Sequence, residues 1–261
     1  MYYYEQPSLK FEDKIIMFLN YNNKEKFFST IYNLNSLYES ENLFDYPPII
    51  KYEEFDDNND KLKDRFKFKI NIPVEDVTQI TNIKLIFLFN YEVNINIVGR
   101  MNTIAVVDVD TPLGVSYMKI DGDLNLIQKS AIDRTTFYNE YYYEDIFNKV
   151  SHSLETFSYK EICESYYSRN FSTFFDYETF IEPMRNPTIA KLEVNINVPS
   201  FQKILYMSPT FTKFKFFFVQ LIAVMIPVIF ILYAIMQFIF RNQVIETACS
   251  NNLEVPKTKI L

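Results

Sequence analysis

The stretch KYEEFDDNNDKLKDR, residues 51–65, holds the side chains whose types and spacing best fit a metal ion. Asp56, Asn58, Asp60 and Asp64 fall at relative positions 1, 3, 5 and 9, the oxygen-ligand spacing of a calcium loop. Lys61 stands where such a loop needs glycine, and Lys67 where it needs a bidentate glutamate. We therefore favour a solvated charged loop between strands and expect no metal site, while calcium binding stays open.

Catalytic chemistry has little support in the sequence. His152 is the only histidine, and no Gly-x-Ser-x-Gly or Cys-x-x-Cys motif accompanies it. Three glycines in all cannot form both a phosphate-binding loop and a dinucleotide-binding loop. The aromatic run Tyr141–Tyr143 is more typical of a core or its rim than of a binding site. We expect no enzyme activity, no catalytic residue, no cofactor and no small-molecule substrate.

Charge and cysteine content exclude two further classes. Five of the 26 basic and two of the 33 acidic residues follow Thr212, so 21 basic and 31 acidic residues precede it. Such an acidic body repels phosphate backbones and argues against nucleic-acid binding. The two cysteines do not form a disulfide framework: Cys163 fits a buried position on a helix, and Cys249 fits either a free thiol or a lipid-acylation site.

One candidate modification site is present. Asn170-Phe171-Ser172 is an Asn-x-Ser sequon with a non-proline centre. Glycosylation at Asn170 would place the surrounding domain outside the cell or in the lumen.

The elements that carry these residues include one apolar segment, FFFVQLIAVMIPVIFILYAIMQFIF, residues 216–240. Twenty-five helical residues rise about 37 Å, enough to cross a hydrocarbon core of about 30 Å. The basic residues on its two sides balance, so the positive-inside rule gives no orientation. We predict a transmembrane helix.

Three residues within this segment are candidates for packing against other helices: Gln220, Pro227 and Gln237. Proline in mid-span should kink the helix, which bilayer helices tolerate when neighbouring helices or local distortion supply the lost hydrogen bond. The two glutamines lie near the ends, where contact with interfacial water is the favoured interpretation and hydrogen bonding to a partner helix the alternative.

Ahead of this segment, apolar residues alternate with polar ones, as expected for half-buried strands. The alternating sets are Phe66, Phe68, Ile70 and Ile72; the odd positions from Ile83 to Ile97; and Leu192, Val194, Ile196 and Val198. The second set would form a strand of about 50 Å, so we expect a bend or bulge near Asn90. Asp121-Gly122 between two alternating arms, within residues 115–128, predicts a hairpin.

A single helix is predicted at residues 158–168, where Ser158 precedes Glu161 by three positions in a capping-box pattern. We therefore predict a mainly β protein: an antiparallel β-sandwich ectodomain with one short helix, followed by a C-terminal transmembrane α-helix. The predicted divisions are a sandwich over 1–209, a transmembrane helix with flanks over 210–241, and a short cytoplasmic tail over 242–261. Residues 199–212 would be a short connector.

Several stretches together resemble the transmembrane protein 231 family, a component of the ciliary transition zone. They are Tyr4-Glu5-Gln6-Pro7 with Phe11, Asp121–Leu126 with Gln128-Lys129, Arg169–Thr173, and the helix entry Lys215, Val219, Gln220 with the exit Phe240, Asn242, Gln243, Val244. In that family the second stretch forms a central hairpin, and the third carries a sequon. The resemblance covers nearly the whole chain.

The resemblance implies a non-enzymatic membrane scaffold at the base of the cilium. It would act with other transition-zone membrane proteins and with tectonic-type and B9-domain proteins, to limit membrane-protein entry and to support cilium assembly. Its β domain would face outside, between two spanning helices. Membrane lipid is the other expected partner.

The family has a first spanning helix before its Glu-Gln-Pro segment, whereas this chain starts at Met1 without one. We expect the sequence to be truncated there. The alternatives are loss of that helix, or a tail-anchored protein with a cytosolic β domain. Two other functions stay open: a single-span receptor or adhesion protein with a ligand-binding sandwich, and an accessory subunit of a channel or transporter.

Overall fold

A computed structural model describes residues 2–36, 38, 42–94, 99–132, 158–182, 188–207 and 210–242, with the side chains of 210–212 excepted. The chain divides into two compact units, Met1–Met207 and Ser208–Leu261. The first is the β domain, and the second contains the C-terminal helix.

The β domain contains eleven strands within its described residues. The strands are β1 (Tyr2–Glu5), β2 (Ser8–Tyr21), β3 (Lys24–Ser29), β4 (Ile49–Phe55), β5 (Arg65–Pro73), β6 (Ile80–Val93), β7 (Gly99–Asp110), β8 (Tyr117–Gln128), β9 (Phe171–Glu182), β10 (Ile189–Asn197) and β11 (Gln202–Leu205). The helices are α1 (Tyr32–Asn35), a 3-10 turn (Val77–Gln79), α2 (Tyr159–Tyr167) and, in the second unit, α3 (Thr210–Arg241).

The strands form three sheets. A five-stranded sheet has the order β4-β5-β10-β8-β9, a four-stranded sheet the order β3-β2-β6-β7, and β1 pairs with β11 in a two-stranded sheet. Strands β8 and β10 run parallel, and the other pairings between these strands are antiparallel. The predicted fold class, a mainly β sandwich followed by a transmembrane helix, is confirmed.

The main core is formed by the alternating side chains that the sequence indicates. Phe66 and Phe68 of β5 are fully buried, as are Phe87 and Phe89 of β6. The Phe68 and Phe87 rings lie 4.5 Å apart and the Phe66 and Phe89 rings 5.1 Å apart, measured between centroids. Because each buried phenylalanine contributes about 1.5–3 kcal/mol, these rings are major stabilising contacts between strands of the two larger sheets.

A second core lies on the other face of the four-stranded sheet. Ile86 and Leu88 of β6 are buried there together with Ile162 and Tyr166 of α2. The predicted capping of this helix is confirmed, because the Ser158 hydroxyl accepts a hydrogen bond from the Glu161 amide at 3.2 Å. The middle of strand β6 is therefore buried on both faces rather than on one.

The predicted hairpin at Asp121-Gly122 is wrong. Strand β8 continues through these residues and pairs with β9 from Tyr117 to Gln128 without interruption. Its buried side chains, Met118, Ile120 and Leu124, keep one phase across Gly122. A Cβ at Gly122 would lie 2.2 Å from the Asp176 carbonyl oxygen, so glycine is needed for the close approach of β9 and not for a turn.

The bend or bulge expected near Asn90 lies on the partner strand and not on β6. Strand β6 pairs continuously with β7 from Asn82 to Val93. The irregularity lies instead in β2, where the register shifts between Phe11 and Ile15, and Asp13 adopts a positive φ of 57°. The extra residues of the bulge lie on the partner strand, so β2 is the strand that bends and β6 keeps its regular pairing with β7. Residues 95–98, at the end of the predicted strand, lie outside the described part of the chain.

Candidate functional site

The segment that leads into α3 is hydrogen-bonded into the β domain. Residues 202–205, predicted as part of a connector, form β11 opposite β1, with Tyr2 facing Leu205 and Glu5 facing Gln202. The sequence gave no usable signal for β11, because the strand has only four residues and alternates weakly. Its partner β1 also lies about 200 positions away along the chain.

The Gln202 side chain anchors β11 to two other strands. It is 4% exposed. Its amide oxygen accepts hydrogen bonds from the Tyr91 hydroxyl at 3.0 Å and from the Leu126 amide at 3.1 Å, and its nitrogen donates to the Leu124 carbonyl at 2.8 Å. Burial, with the nearby Glu5 carboxylate, raises the pKa of Tyr91 well above its usual value, so this hydroxyl stays protonated and able to donate.

Two further contacts extend this attachment towards α3. The Leu205 amide donates to the Gln128 side-chain oxygen at 2.7 Å, and the Met207 amide donates to the Ile132 carbonyl at 2.9 Å. Only positions 208 and 209 separate Met207 from the first residue of α3. The chain thus leaves the β domain from an ordered, hydrogen-bonded segment.

Helix α3 has the length and composition of a membrane span. Residues Lys213–Arg241 have a mean hydropathy of 2.6 over their most apolar window, and that window has no side chain buried against the protein. Of the packing candidates, Pro227 lies inside the helix, as predicted. Gln237 donates to the Tyr233 hydroxyl of its own helix at 3.2 Å. Gln220 is exposed, and no hydrogen bond of its side chain is described within the helix.

Asn170 is exposed in the turn between α2 and β9, while Phe171 and Ser172 of its sequon are each 1% exposed. Its carbonyl accepts from the Lys129 amide at 2.9 Å. The asparagine side chain is therefore accessible in the folded domain, as a glycosylation site requires.

A buried hydroxyl pair fixes this turn. Tyr166 of α2 accepts a hydrogen bond from the Thr173 amide at 2.7 Å, and the two hydroxyl groups lie 2.8 Å apart. The Thr173 hydroxyl also donates to the Ile104 carbonyl of β7 at 2.9 Å. Burial raises the pKa of Tyr166, which keeps it neutral. The sequence gave no sign of this pair, because it depends on α2 packing over β7 and β9.

Residues 56–64 of the acidic stretch form the loop between β4 and β5, and their side-chain oxygens accept hydrogen bonds mostly from the backbone of the same loop. Asp56 accepts from the amides of Asp60 and Lys61, at 3.2 and 3.0 Å. Asp64 accepts from the Asp57 amide at 2.7 Å, and its other oxygen accepts from the Gln6 side chain at 2.8 Å. Asn58 and Asp60 accept from further loop amides. Among the residues described, no group of three or more metal-ligating side chains has metal-binding geometry.

Cys163 lies on α2, half-buried against the second core, and burial raises the pKa of its thiol. This agrees with an unreactive structural cysteine. His152, Tyr141–Tyr143 and Cys249 lie outside the described residues.

Comparison with known proteins identifies the family. Residues 1–249 match the family model for transmembrane protein 231. Relatives that bear that name include proteins of Xenopus tropicalis (23% identical), Bos taurus (24%) and Homo sapiens (23%), and each alignment covers 94% of this chain and 78% of the relative. No solved structure matches the chain. The match takes in both the β domain and α3, and the chain therefore belongs to the transmembrane protein 231 family.

Proposed function

We propose that this protein is a non-enzymatic membrane scaffold of the ciliary transition zone, where it contributes to the diffusion barrier and to cilium assembly. The observation that carries the proposal is the family match over residues 1–249, which includes the β domain together with the spanning helix. A barrier of this kind acts by holding membrane proteins in a dense, immobile array, and needs no catalytic group.

The attachment of β11 supports a scaffold role. A scaffold holds its partner-binding surface at a defined position relative to its membrane anchor. This requires that the segment between the two has little conformational freedom. Here the hydrogen bonds of Gln202, Leu205 and Met207 order the chain almost up to the start of α3. The proposed partners are other transition-zone membrane proteins and proteins of the tectonic and B9-domain types.

Localisation and co-purification test this proposal. The full-length tagged protein should form a ring at the ciliary base and co-purify with tectonic-type and B9-domain proteins. A uniform distribution over the plasma membrane would instead support a single-span receptor or adhesion protein. Co-purification with a stoichiometric pore-forming protein would support an accessory subunit.

We further propose that the β domain faces outside or the lumen and carries a glycan on Asn170. The exposed side chain of Asn170 supports the glycan, because the residue is accessible in the folded domain. The protein from cells should migrate faster after glycosidase treatment, and Asn170→Gln should abolish the change. Asn125→Gln is a matched control, because Asn125 is exposed on β8 and lies outside any sequon. An unaltered mobility of the wild-type chain would contradict the glycan on Asn170 and remove this support for the extracellular placement.

Helix packing is proposed to involve Gln220 more than Gln237. Gln237 already donates to Tyr233, whereas Gln220 is available for a partner helix, where such bonds contribute about 0.6–2 kcal/mol. Gln220→Leu should therefore reduce co-purification with transition-zone membrane proteins more than Gln237→Leu does. Equal effects of the two variants would contradict this assignment.

A further inference from the structure

The outer face of the β1–β11 sheet is unusually apolar and aromatic for an exposed surface. Tyr2 and Tyr4 are 57% and 56% exposed, and Leu205, opposite Tyr2, is 41% exposed. Lys203, opposite Tyr4, is exposed on the same face. On the opposite face Glu5, Gln202 and Ile204 are buried, and Tyr3 is partly buried against the main core.

Two exposed residues flank this surface along the chain. Phe201 and Met207, on either side of β11, are 80% and 51% exposed. The Tyr2 and Tyr4 rings are in edge contact, with centroids 6.0 Å apart, and the Lys203 ammonium lies 4.4 Å from the Tyr2 ring centroid. We name these six residues, Tyr2, Tyr4, Phe201, Lys203, Leu205 and Met207, the aromatic face.

The chemistry of the aromatic face is that of a membrane–water interface. Tyrosine is enriched at the headgroup level because its ring is apolar and its hydroxyl polar, and lysine extends its ammonium to the headgroups from an apolar stem. Lys203 is the only charged residue of the face, although the chain ahead of residue 213 has ten more acidic than basic residues. The face therefore lacks the negative charge that would repel anionic headgroups.

The chain itself limits how far this face can lie from lipid. Four residues separate Leu205 from Thr210, so their Cα atoms are at most about 18 Å apart. Lys213 and Lys215, which precede the apolar run, lie within the first two turns of α3. The tether, residues 206–209, is thus short enough for the aromatic face to contact the bilayer surface.

We propose that the aromatic face lies against the headgroup region of the membrane that α3 crosses. The face would add a second, peripheral membrane contact to the single helix and restrict rotation of the β domain about its tether. The occupant is lipid, and neither a second copy of this chain nor a partner protein is required.

Tryptophan fluorescence tests the proposal directly, since the chain contains no tryptophan. Tyr4→Trp in the full-length protein, reconstituted alone in phosphatidylcholine vesicles, should emit at shorter wavelength than a water-exposed tryptophan. Lipids brominated near the headgroup end of the acyl chains should quench it. Tyr32→Trp on α1 is the matched control, because Tyr32 is an 84% exposed tyrosine outside the face.

The proposal is overturned if Tyr4→Trp and Tyr32→Trp have the same emission maximum and the same quenching. It is also overturned if Tyr4→Trp is blue-shifted but not quenched, since the residue would then be covered by protein. Phe201→Trp provides a second probe of the face at an 80% exposed loop position, where a fold defect is not expected. Its emission and quenching should agree with those of Tyr4→Trp.

Discussion

Replacement of Gln202 by leucine should destabilise the β domain and loosen the segment that precedes α3. The change keeps the side-chain volume but leaves the Tyr91 hydroxyl, the Leu126 amide and the Leu124 carbonyl without this partner. Each buried polar group that loses its partner costs about 1–2 kcal/mol, for a total of about 3–6 kcal/mol. The additional buried apolar surface of leucine stabilises the fold by about 1–2 kcal/mol, so we expect the free energy of unfolding to fall by about 3 kcal/mol.

The free energy of unfolding can be measured on the full-length protein in detergent micelles by brief proteolysis across a urea series. With a urea dependence of about 2–3 kcal/mol per molar, the midpoint should fall by about 1 M. Tyr91→Phe should cost less in the Gln202→Leu background than in the wild type, because the hydroxyl has already lost its partner.

Gln128→Leu is the matched control. Gln128 also joins its side-chain amide to a β11 backbone group, but in a water-accessible position. Water replaces its lost bonds, so the cost should be about 1 kcal/mol. If Gln202→Leu costs no more than Gln128→Leu, the buried amide does not anchor β11 and the reasoning above fails.

Three other predictions concern different parts of the domain. Gly122→Ala should cost more than about 3 kcal/mol in the same urea assay, because the new Cβ would meet the backbone of β9, whereas Asn125→Ala, exposed on the same strand, should cost little. Calorimetry should detect no binding heat when millimolar calcium is added to the full-length protein, because the carboxylates of the β4–β5 loop are occupied by its own amides, and a saturable heat would contradict this. Burial and the Glu25 carboxylate raise the pKa of Tyr38 to about 12. Between about pH 10 and 12 the unfolded chain therefore loses this proton first, and the free energy of unfolding falls as the pH rises. Because Tyr38 is only half-buried, solvent screening keeps this fall well below the limit of about 1.4 kcal/mol per pH unit. Tyr38→Phe should flatten that fall in urea midpoints measured against pH, and an unchanged slope would refute it.

Features that depend on short-range pattern were predictable from the sequence. The apolar run at 216–240 specifies a membrane span because all faces of the helix are apolar over the thickness of a bilayer. The alternation in β5 and β10, and the Ser158 cap of α2, likewise follow from neighbouring residues, and the structure confirms each of them. Family resemblance also rested on such local stretches, in order along the chain.

Features that depend on partners distant in sequence were decided by the tertiary structure. Asp121-Gly122 has the composition of a turn, yet the pairing of β8 with β9 and β10 places it in the middle of a strand. Glycine is needed there because the backbone of β9 leaves no room for a Cβ. The expected bend in β6 lies instead in β2, because register is set jointly by two strands.

The same distinction explains the segment that precedes α3. Residues 202–205 carry too little alternation to indicate a strand, and only their pairing with Tyr2–Glu5 and the burial of Gln202 make them one. The sequence by itself thus determined that this protein is a β domain joined to a membrane helix. The folded chain decided how the segment before that helix is held, because hydrogen bonds between residues about 200 positions apart leave no local pattern.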